Sequence, residues 1–352
     1  MALFEVNDYD RYIYETELKD FLPHHILDVH THVYLEKNEP KPKAGAVKRT
    51  VTWPSLVAKD DPIEDLQETY RLMFPDKQVE ALIFGHKGRI PAQNEYIVES
   101  MKKTGWPGLY FSAPEQTADE VEAEIRKGGF VGIKSYLSLS PEYLPVSEIR
   151  IFDFFPPHQL ERMNEMGAIV MLHIPRNGRL KDPVNLAQII EIREKYPDIR
   201  LIIAHIGRAY CEYDVGEAFD ILDRTGLEFT WDFTANCCEY AITECLRHAG
   251  PKNLMFGTDM PILRMRTHRI EENNTYINLV PPGMYGDPSQ DPHLREVSEE
   301  EGKKITFFCY EELLAFKRAC RTLGLTKQDV EDVMCNNALK LIADAHKSIY
   351  GE

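Results

Sequence analysis

Short apolar segments alternate with amphipathic helical patterns along most of this 352-residue chain, and this alternation limits the folds open to it more than any other feature. Strands that alternate with helices imply right-handed crossovers and a parallel sheet. Eight strand candidates can be counted along the sequence. They cover residues 26–32, 79–84, 108–112, 130–133, 168–172, 199–204, 227–232 and 254–257.

Helical patterns lie between most of these segments. They cover residues 94–103, 117–127, 157–166, 183–196, 217–223 and 238–249. Eight strand–helix units in roughly 230 residues fit a (β/α)8 TIM-type barrel better than an open doubly wound sheet. No GxGxxG motif follows an early strand, which weakens the nucleotide-binding alternative. We therefore predict one barrel domain over residues 1–352.

Two long connections interrupt the pattern, after the first and the eighth strand. Residues 33–62 are rich in Lys, Pro and Gly, with an extended piece at 47–53, and suit a lid over the site. Residues 261–304 are rich in Pro and charge, and suit an irregular insertion that covers the barrel mouth or forms a subunit contact. C-terminal helices are predicted over 305–346. The two insertions make a homo-oligomer a reasonable expectation.

Charge and composition restrict the partners of the protein. The net charge is −16 and the pI is near 5.3, which argues against nucleic acid or an anionic membrane surface as the main partner. No apolar run approaches the roughly 20 residues that span a bilayer, and the first residues lack signal-peptide features. The seven cysteines form no CxxC pair, so reduced, buried thiols in a cytoplasmic protein are expected.

Residues with metal-binding chemistry follow several of the predicted strands. In a parallel barrel, the active site lies at the carboxyl ends of the strands. His30 and His32 lie one residue apart on the first strand, so both imidazoles point to the same face. His173, His205 and Asp259 follow strands five, six and eight. Neutral imidazoles and a carboxylate are ligands for zinc or a similar divalent ion, with an open position left for water.

Four motifs resemble those of the amidohydrolase superfamily, in particular its amidohydrolase-related branch of metal-dependent hydrolases, lactonases and non-oxidative decarboxylases. The motifs are DVHTH at 28–32, VMLH at 170–173, IAHIG at 203–207 and MFGTDMP at 255–261. The closing NNALKL at 336–341 resembles a segment near the end of that branch. The similarity runs from about residue 26 to about residue 343, except for the two insertions.

The resemblance implies a role for each rim residue. His30, His32, His173 and Asp259 would be metal ligands, and Asp259 would also accept a proton from metal-bound water. His205 would bind or polarise the substrate, or hold a second metal. Asp28 faces away from the ligands and is expected to support the strand.

Lys134, after the fourth strand, has three interpretations. In binuclear members of the superfamily, a lysine at this place is carboxylated and bridges two metals. In the related branch it can instead be an ammonium group that contacts a substrate or carboxylate. A structural ion pair is the third interpretation, because burial and pKa cannot be read from a sequence.

Further basic residues follow the predicted strands, and they indicate a substrate that carries a carboxylate or a phosphate, to which arginine forms bidentate bonds. They are His86, Lys87, Arg89, Arg176, Arg179 and Arg208. Arg176 and Arg208 are favoured because each lies three residues beyond a rim histidine, and His86 and Arg89 complete the expected substrate-binding set. Arginines that only point into water are the alternative.

These observations favour a metal-dependent hydrolase that opens an amide, lactone or ester-like bond in a small anionic molecule. The alternative is a non-oxidative decarboxylase of an aromatic or unsaturated carboxylic acid, which would use the same ligands. A non-catalytic barrel is disfavoured because the ligand set is complete. The sequence leaves open the substrate, the metal (one zinc ion, or two ions if Lys134 is carboxylated) and the oligomeric state.

Overall fold

Eight parallel strands form the centre of the protein in a computed structural model that describes residues 3–38, 54–86, 91–287, 289 and 291–351. They are β1 His25–His32, β2 Gln78–Phe84, β3 Tyr110–Phe111, β4 Gly132–Lys134, β5 Ile169–Leu172, β6 Arg200–Ile203, β7 Trp231–Asp232 and β8 Leu254–Met255. β1 pairs with β2, and β3 to β8 form a six-stranded sheet in sequential order. The predicted parallel α/β class is confirmed.

Single backbone bridges join the two sheets at both ends. Ile83 of β2 forms a parallel bridge with Gly108, just before β3. Thr31 of β1 forms a parallel bridge with Met260, after β8. Backbone hydrogen bonds of 3.0 Å accompany both bridges. Neighbouring strands therefore follow one another from β1 to β8, and the segment after β8 returns to β1.

Helices connect the strands, as the periodicity predicts. The α-helices are Asp8–Ile13, Pro54–Val57, Ile63–Met73, Pro91–Thr104, Ala118–Gly128, Pro157–Met166, Pro183–Lys195, Glu212–Val215, Ala218–Asp223, Glu239–Ala249, Glu299–Gly302, Phe308–Leu323, Lys327–Glu331 and Asn337–Tyr350. Single 3-10 turns occur at Glu36–Asn38, Leu137–Leu139, Val146–Glu148, Ile151–Asp153, Arg179–Lys181, Pro251–Asn253 and Ile262–Arg264. π-Helical segments at Tyr14–Leu18 and Asp332–Asn336 follow the first helix and join the last two.

The strands are buried on both faces, as expected for a parallel sheet covered by helices. Alternate residues such as Leu27 and Val29 of β1, or Ile169 and Met171 of β5, pack into one apolar cluster. The intervening residues pack with the surrounding helices into a second, larger cluster. At Gly132 of β4 a Cβ atom would lie 2.0 Å from the Ile169 carbonyl oxygen, so only glycine allows the β4–β5 approach.

The two long connections differ from their predictions in different ways. Residues 268–296 contain a small mixed sheet of β9 His268–Glu272, β10 Thr275–Val280 and β11 Leu294–Glu296, so the expectation of an irregular insertion is wrong here. The predicted extended piece at 47–53 lies outside the described residues. The beginning and end of that connection are bridged by Tyr34 and Asp61.

Six of the seven cysteines are buried and Cys237 is partly buried, in agreement with the predicted burial of the thiols. Among the described helices, none combines the length and the apolar character needed to cross a membrane.

Candidate metal centre

The predicted ligands lie together where β1 and the segment after β8 approach each other. The Asp259 Oδ1 atom is 3.1 Å from Nε2 of His32 and 3.8 Å from Nε2 of His30. Two ligand atoms on one divalent ion are separated by about 3.0 Å in octahedral and about 3.4 Å in tetrahedral geometry, given metal–ligand distances of about 2.1 Å. The observed separations are therefore of the size that a shared ion requires.

Each of three histidines uses its Nδ1 atom for a hydrogen bond to the protein. His32 donates to the Gly85 carbonyl at 2.8 Å, and His205 donates to the Thr234 carbonyl at 2.9 Å. His30 donates to the Asp232 carboxylate at 3.0 Å. An imidazole that donates from Nδ1 in its neutral form has its lone pair on Nε2, the form in which histidine binds metals.

Asp232, the last residue of β7, was not singled out from the sequence. Its side chain is fully buried and also accepts hydrogen bonds from the amides of His205 at 2.7 Å and Thr234 at 3.2 Å. Burial alone would raise the pKa of Asp232, but the electrostatic interaction and the hydrogen bond with His30 outweigh burial and lower this pKa to about 2. The signal in the sequence was its place at a strand end.

Two sets of metal-binding side chains converge among the described residues, and both contain His30. One set adds His32 and Asp259, and the other adds His205 and Asp232. In the second set, both carboxylate oxygens of Asp232 are already used. One oxygen accepts the hydrogen bond from Nδ1 of His30, and the other accepts two backbone amides. We therefore assign Asp232 to orienting His30, which leaves Nε2 of His30 for the first set.

The Asp259 carboxylate is ionised at neutral pH. Burial would raise its pKa, but the contact with His32 and the nearby imidazoles of His30 and His205 hold the pKa well below the usual range. Its backbone has a φ of 51°, and its amide donates to the His30 carbonyl at 2.6 Å. Backbone and side chain together attach Asp259 to the end of β1.

His205 and His173 form the neighbouring part of the site. The His205 ring centroid is 4.7 Å from that of His30 and 5.2 Å from that of His173. Burial lowers the pKa of all three imidazoles, that of His30 to about 4, so they are neutral at pH 7. Nδ1 of His173 is buried with no hydrogen-bond partner among the described residues, and His173 lies outside both converging sets. Its role as a ligand stays a prediction.

The four residues His205–Arg208 form a left-handed turn. Their φ angles are 59°, 48°, 59° and 59°, a conformation that costs about 1–2 kcal/mol for each residue other than glycine. A Cβ atom at Gly207 would lie 2.7 Å from Cδ1 of Leu180, so glycine avoids both a shift of Leu180 and backbone strain at this position. The turn places Arg208 against the loop after β5, where its Nη1 donates to the Pro175 carbonyl at 3.0 Å.

Lys134 ends β4 inside the same region. Its side chain is 1% exposed, and its Nζ has no hydrogen-bond partner among the described residues and lies 5.4 Å from the Phe84 ring centroid. Burial lowers the pKa of Lys134 to about 8, although the charges of Asp232 and Asp259 act against this. A structural ion pair, one of the three sequence interpretations, is not formed within 4.0 Å by the described residues.

Buried polar atoms without partners and converging Nε2 and carboxylate atoms together fit a divalent cation. His30, His32 and Asp259 would hold it, with His205 and His173 beside them.

The predicted substrate-binding residues have varied surroundings. His86 stacks on Tyr34 with ring centroids 4.6 Å apart and meets the edge of His32 at 5.2 Å, so it borders the site. Arg176 is 3.3 Å from the exposed Glu148 carboxylate. Arg208 binds backbone carbonyls with one of its nitrogens. Arg89 lies outside the described residues.

Asp28 is directed away from the ligands, as expected. It accepts hydrogen bonds from Tyr70 Oη at 2.6 Å and from the amides of His30 at 2.9 Å and Thr258 at 3.0 Å. The Thr258 hydroxyl also donates to it. Asp28 therefore holds the end of β1 against the turn that carries Asp259.

A parallel α/β fold with histidines and an aspartate at the carboxyl ends of its strands defines a class of metal-dependent enzymes. The amidohydrolase family model matches residues 28–343, and the chain belongs to this family. No curated protein sequence matches it significantly.

Several solved structures share the fold. An amidohydrolase from Burkholderia multivorans with bound HEPES has a TM-score of 0.57 and 11% identity, covering 90% of this chain and 99% of that one. The 4-oxalomesaconate hydratase from Rhodopseudomonas palustris has a TM-score of 0.53 and 15% identity, with coverage of 93% and 98%. A dihydroxybenzoic acid decarboxylase from Polaromonas sp. JS666, with manganese and the inhibitor 2-nitroresorcinol, has a TM-score of 0.52 and 14% identity, with coverage of 94% and 99%.

Proposed function

We propose that this protein is a metal-dependent hydrolase of a small anionic amide, lactone or ester, built as a single (β/α)8 barrel domain. The observation that carries the proposal is the convergence of His30, His32 and Asp259. Two imidazole Nε2 atoms lie 3.1 and 3.8 Å from one carboxylate oxygen, with each Nδ1 hydrogen-bonded elsewhere. Imidazole Nε2 atoms beside an ionised carboxylate suit a divalent cation better than any covalent chemistry.

His30, His32 and Asp259 hold the cation in this proposal, together with His173 or His205. A bound divalent ion lowers the pKa of water toward about 7 and polarises a carbonyl group. Asp259 accepts the proton that the attacking water loses, because its carboxylate is ionised and reaches both histidines. His205 binds or polarises the substrate carbonyl.

Arg208 is the best placed of the predicted substrate anchors. It follows His205 in the left-handed turn and uses Nη1 for carbonyl groups of the loop after β5. The remaining guanidinium nitrogens are left for an anionic substrate. Arg176, His86 and Arg89 are assigned to the outer part of the same pocket.

Lys134 is proposed to take part in metal or substrate binding and not only to stabilise the core of the protein. Its amine lacks a hydrogen-bond partner among the described residues, and an amine with a pKa near 8 is partly neutral at physiological pH. It is therefore suited either to carboxylation and a second metal ion, or to contact with the substrate.

A non-oxidative decarboxylase is the second candidate. The decarboxylase from Polaromonas has the same fold and contains manganese, and the basic groups near the site here suit a carboxylate substrate. The hydratase from Rhodopseudomonas shares the fold as well. Zinc as the ion, the cytoplasm as the location and a homo-oligomer as the assembly belong to the proposal.

Metal analysis of the purified protein tests the first step. Wild type should contain about one divalent ion per chain, or about two if Lys134 is carboxylated. The double variant His30→Ala/His32→Ala should lose the metal, and His268→Ala, which removes a half-exposed histidine paired with Glu311, should keep it. Metal-free wild type that also fails to take up zinc or manganese would refute the proposal.

Product analysis then separates the two reactions. Wild type with its metal is incubated with pooled lactones and amides in one reaction and with pooled aromatic carboxylic acids in another. New carboxylic acid in the first pool supports the hydrolase. If bicarbonate is released from the second pool and no acid is released from the first, the hydrolase proposal is wrong and the decarboxylase is supported.

A further inference from the structure

The carbonyl group that orients His205 belongs to a strained backbone loop after β7. The Thr234 carbonyl accepts the hydrogen bond from Nδ1 of His205 at 2.9 Å. The next residue, Ala235, has a φ of 54°, a left-handed conformation that is unfavourable for a residue with a Cβ atom. Such a conformation persists only where the surrounding contacts hold it. The position of the Thr234 carbonyl therefore depends on the contacts that hold Ala235.

Two side chains attach this loop, residues 234–236, to the rest of the protein. Nδ2 of Asn236 donates to the Ala209 carbonyl at 2.9 Å, just after the left-handed turn that begins at His205. Nη1 of Arg269 donates to the Ala235 carbonyl at 2.7 Å. The first contact lies within the barrel, whereas the second comes from β9 of the small sheet, 34 residues further along the chain. The strained residue is therefore held from the insertion.

The guanidinium group of Arg269 is itself fixed in position and in plane. Its Nε donates at 2.9 Å to the side-chain oxygen of Asn278, a fully buried residue that pairs with Arg269 across β9 and β10. The guanidinium carbon lies 4.4 Å from the ring centroids of both Tyr276 and Phe308. A planar group that stacks on aromatic rings and donates from two nitrogens has little freedom left. The hydrogen bond to Ala235 is therefore made by a rigid donor.

Arg269 also borders the aromatic ring that packs beside His205. Its guanidinium carbon lies 5.1 Å from the ring centroid of Tyr210, and the Tyr210 centroid lies 6.2 Å from that of His205. The ring of Tyr276 meets the edge of Tyr210, with centroids 5.3 Å apart. The same arginine is therefore next to the ring beside His205 and bonded to the loop that accepts its proton.

We propose that Arg269 is a positioning residue for His205. Through the Ala235 carbonyl it holds loop 234–236 in place, so that the Thr234 carbonyl keeps the proton of His205 on Nδ1 and the lone pair on Nε2. The inference rests on the proposed function for what Nε2 then binds, a metal ion or the substrate carbonyl. It gives the insertion a part in the site, because β9 supplies Arg269 and β10 supplies its partner Asn278.

The tautomer of His205 tests this role, because a contribution of Arg269 to stability alone would leave it unchanged. It is measured by 15N NMR on the full-length, histidine-labelled protein at about pH 8, where burial keeps the imidazole neutral. Metal is removed first, since a bound ion would itself fix the ring, and His205→Asn assigns the signal. Wild type should carry the proton on Nδ1. Arg269→Met should raise the ratio of the Nε2-protonated to the Nδ1-protonated form about fivefold, which corresponds to about 1 kcal/mol, as for one hydrogen bond.

A second substitution tests the route through Ala235. Glycine adopts a φ of 54° without strain, so the loop should need the arginine less when Ala235 is replaced. The double variant Arg269→Met/Ala235→Gly should therefore return toward the wild-type ratio. A double variant no closer to wild type than Arg269→Met would overturn the inference.

Arg295→Met is the matched control, because it removes the same charge from the same small sheet, where Arg295 pairs with the exposed Glu272 carboxylate at 2.6 Å. It should leave the tautomer as in wild type. If Arg269→Met fails to fold, Arg269→Lys keeps the charge but not the planar pair of donors, and should shift the ratio less in the same direction. An unchanged ratio in the folded variant would overturn the inference. Failure of wild type to take up zinc or manganese would instead refute the proposed function, and it does not affect the tautomer measurement.

Discussion

Replacement of Asp232 by asparagine is the sharpest perturbation of the metal centre that the structure offers. Asp232 Oδ1 accepts the amides of His205 and Thr234, and Oδ2 accepts the proton of His30 Nδ1. Asparagine keeps one oxygen for the two amides but places an NH2 group opposite His30. His30 then has to accept at Nδ1, so its proton moves to Nε2, the atom that lies 3.8 Å from Asp259.

A histidine that is protonated on Nε2 cannot bind a metal there, so one ligand is lost or held in an unfavourable form. Changes to the groups that orient metal ligands typically cost 10–100-fold in metal affinity, or about 1.4–2.7 kcal/mol. We expect Asp232→Asn to weaken zinc and manganese binding within this range. The metal-free protein should also lose about 1–3 kcal/mol of unfolding free energy, because a buried charged hydrogen bond is replaced.

Competition with a chromophoric chelator measures the metal affinity, and urea unfolding of the metal-free protein measures stability. Asp223→Asn is the matched control, since Asp223 pairs with Nδ1 of His248 at the protein surface, away from the site. The control should leave metal affinity unchanged. Unchanged metal affinity in Asp232→Asn would show that His30 does not bind the metal through Nε2. It would then refute the assignment of Asp232 to orienting His30 and of Asp259 to binding the metal.

Two further predictions concern β4. The folded-state pKa of Lys134 is about 8 against 10.5 for the free group, so the folded state binds fewer protons between these values and its stability rises with pH across this window. The free energy of unfolding of metal-free Lys134→Met should therefore exceed that of wild type by up to about 3 kcal/mol at pH 7, and the difference should shrink toward pH 10.5. A difference that does not change with pH in urea unfolding would contradict this prediction. Gly132→Ala should lose about 3 kcal/mol of unfolding free energy or fail to fold, because its Cβ atom would lie 2.0 Å from the Ile169 carbonyl oxygen. Gly85→Ala is the control, since the nearest atom to its Cβ is at 3.7 Å, and its stability should change by less than about 1 kcal/mol. Equal effects in the two variants would refute the steric explanation.

The parallel arrangement and the ligand positions could be predicted because both depend on local sequence. A buried strand is an apolar run, and a residue at its end is directed to the same rim whatever the rest of the chain does. His30, His32 and Asp259 were found in this way, and the structure brings their ligand atoms together. His173 and His205 are neighbours at the same rim.

Asp232 has the same local signal but was read as the end of a strand, because its function depends on a partner 202 residues earlier in the chain. No spacing rule connects the two residues. The arginines were predicted as a group for a similar reason: sequence gives their charge, but Arg208 reaches the loop after β5 only through a left-handed turn. That turn depends on Gly207, which the motif contains but whose conformation the motif does not state.

The small sheet of the insertion was missed because its strands lack the usual pattern. β9 has no fully buried residue and β11 has three residues, so neither gives a clear apolar alternation. Two of its side chains, Arg269 and Tyr276, pack around Tyr210, whose ring centroid lies 6.2 Å from that of His205. The strand ends carry the side chains with metal-binding chemistry, whereas an element in a connecting loop supplies the groups packed around Tyr210. The metal-binding residues could therefore be located from the strands alone, whereas the surroundings of Tyr210 could not, because they come from a connection without clear periodicity.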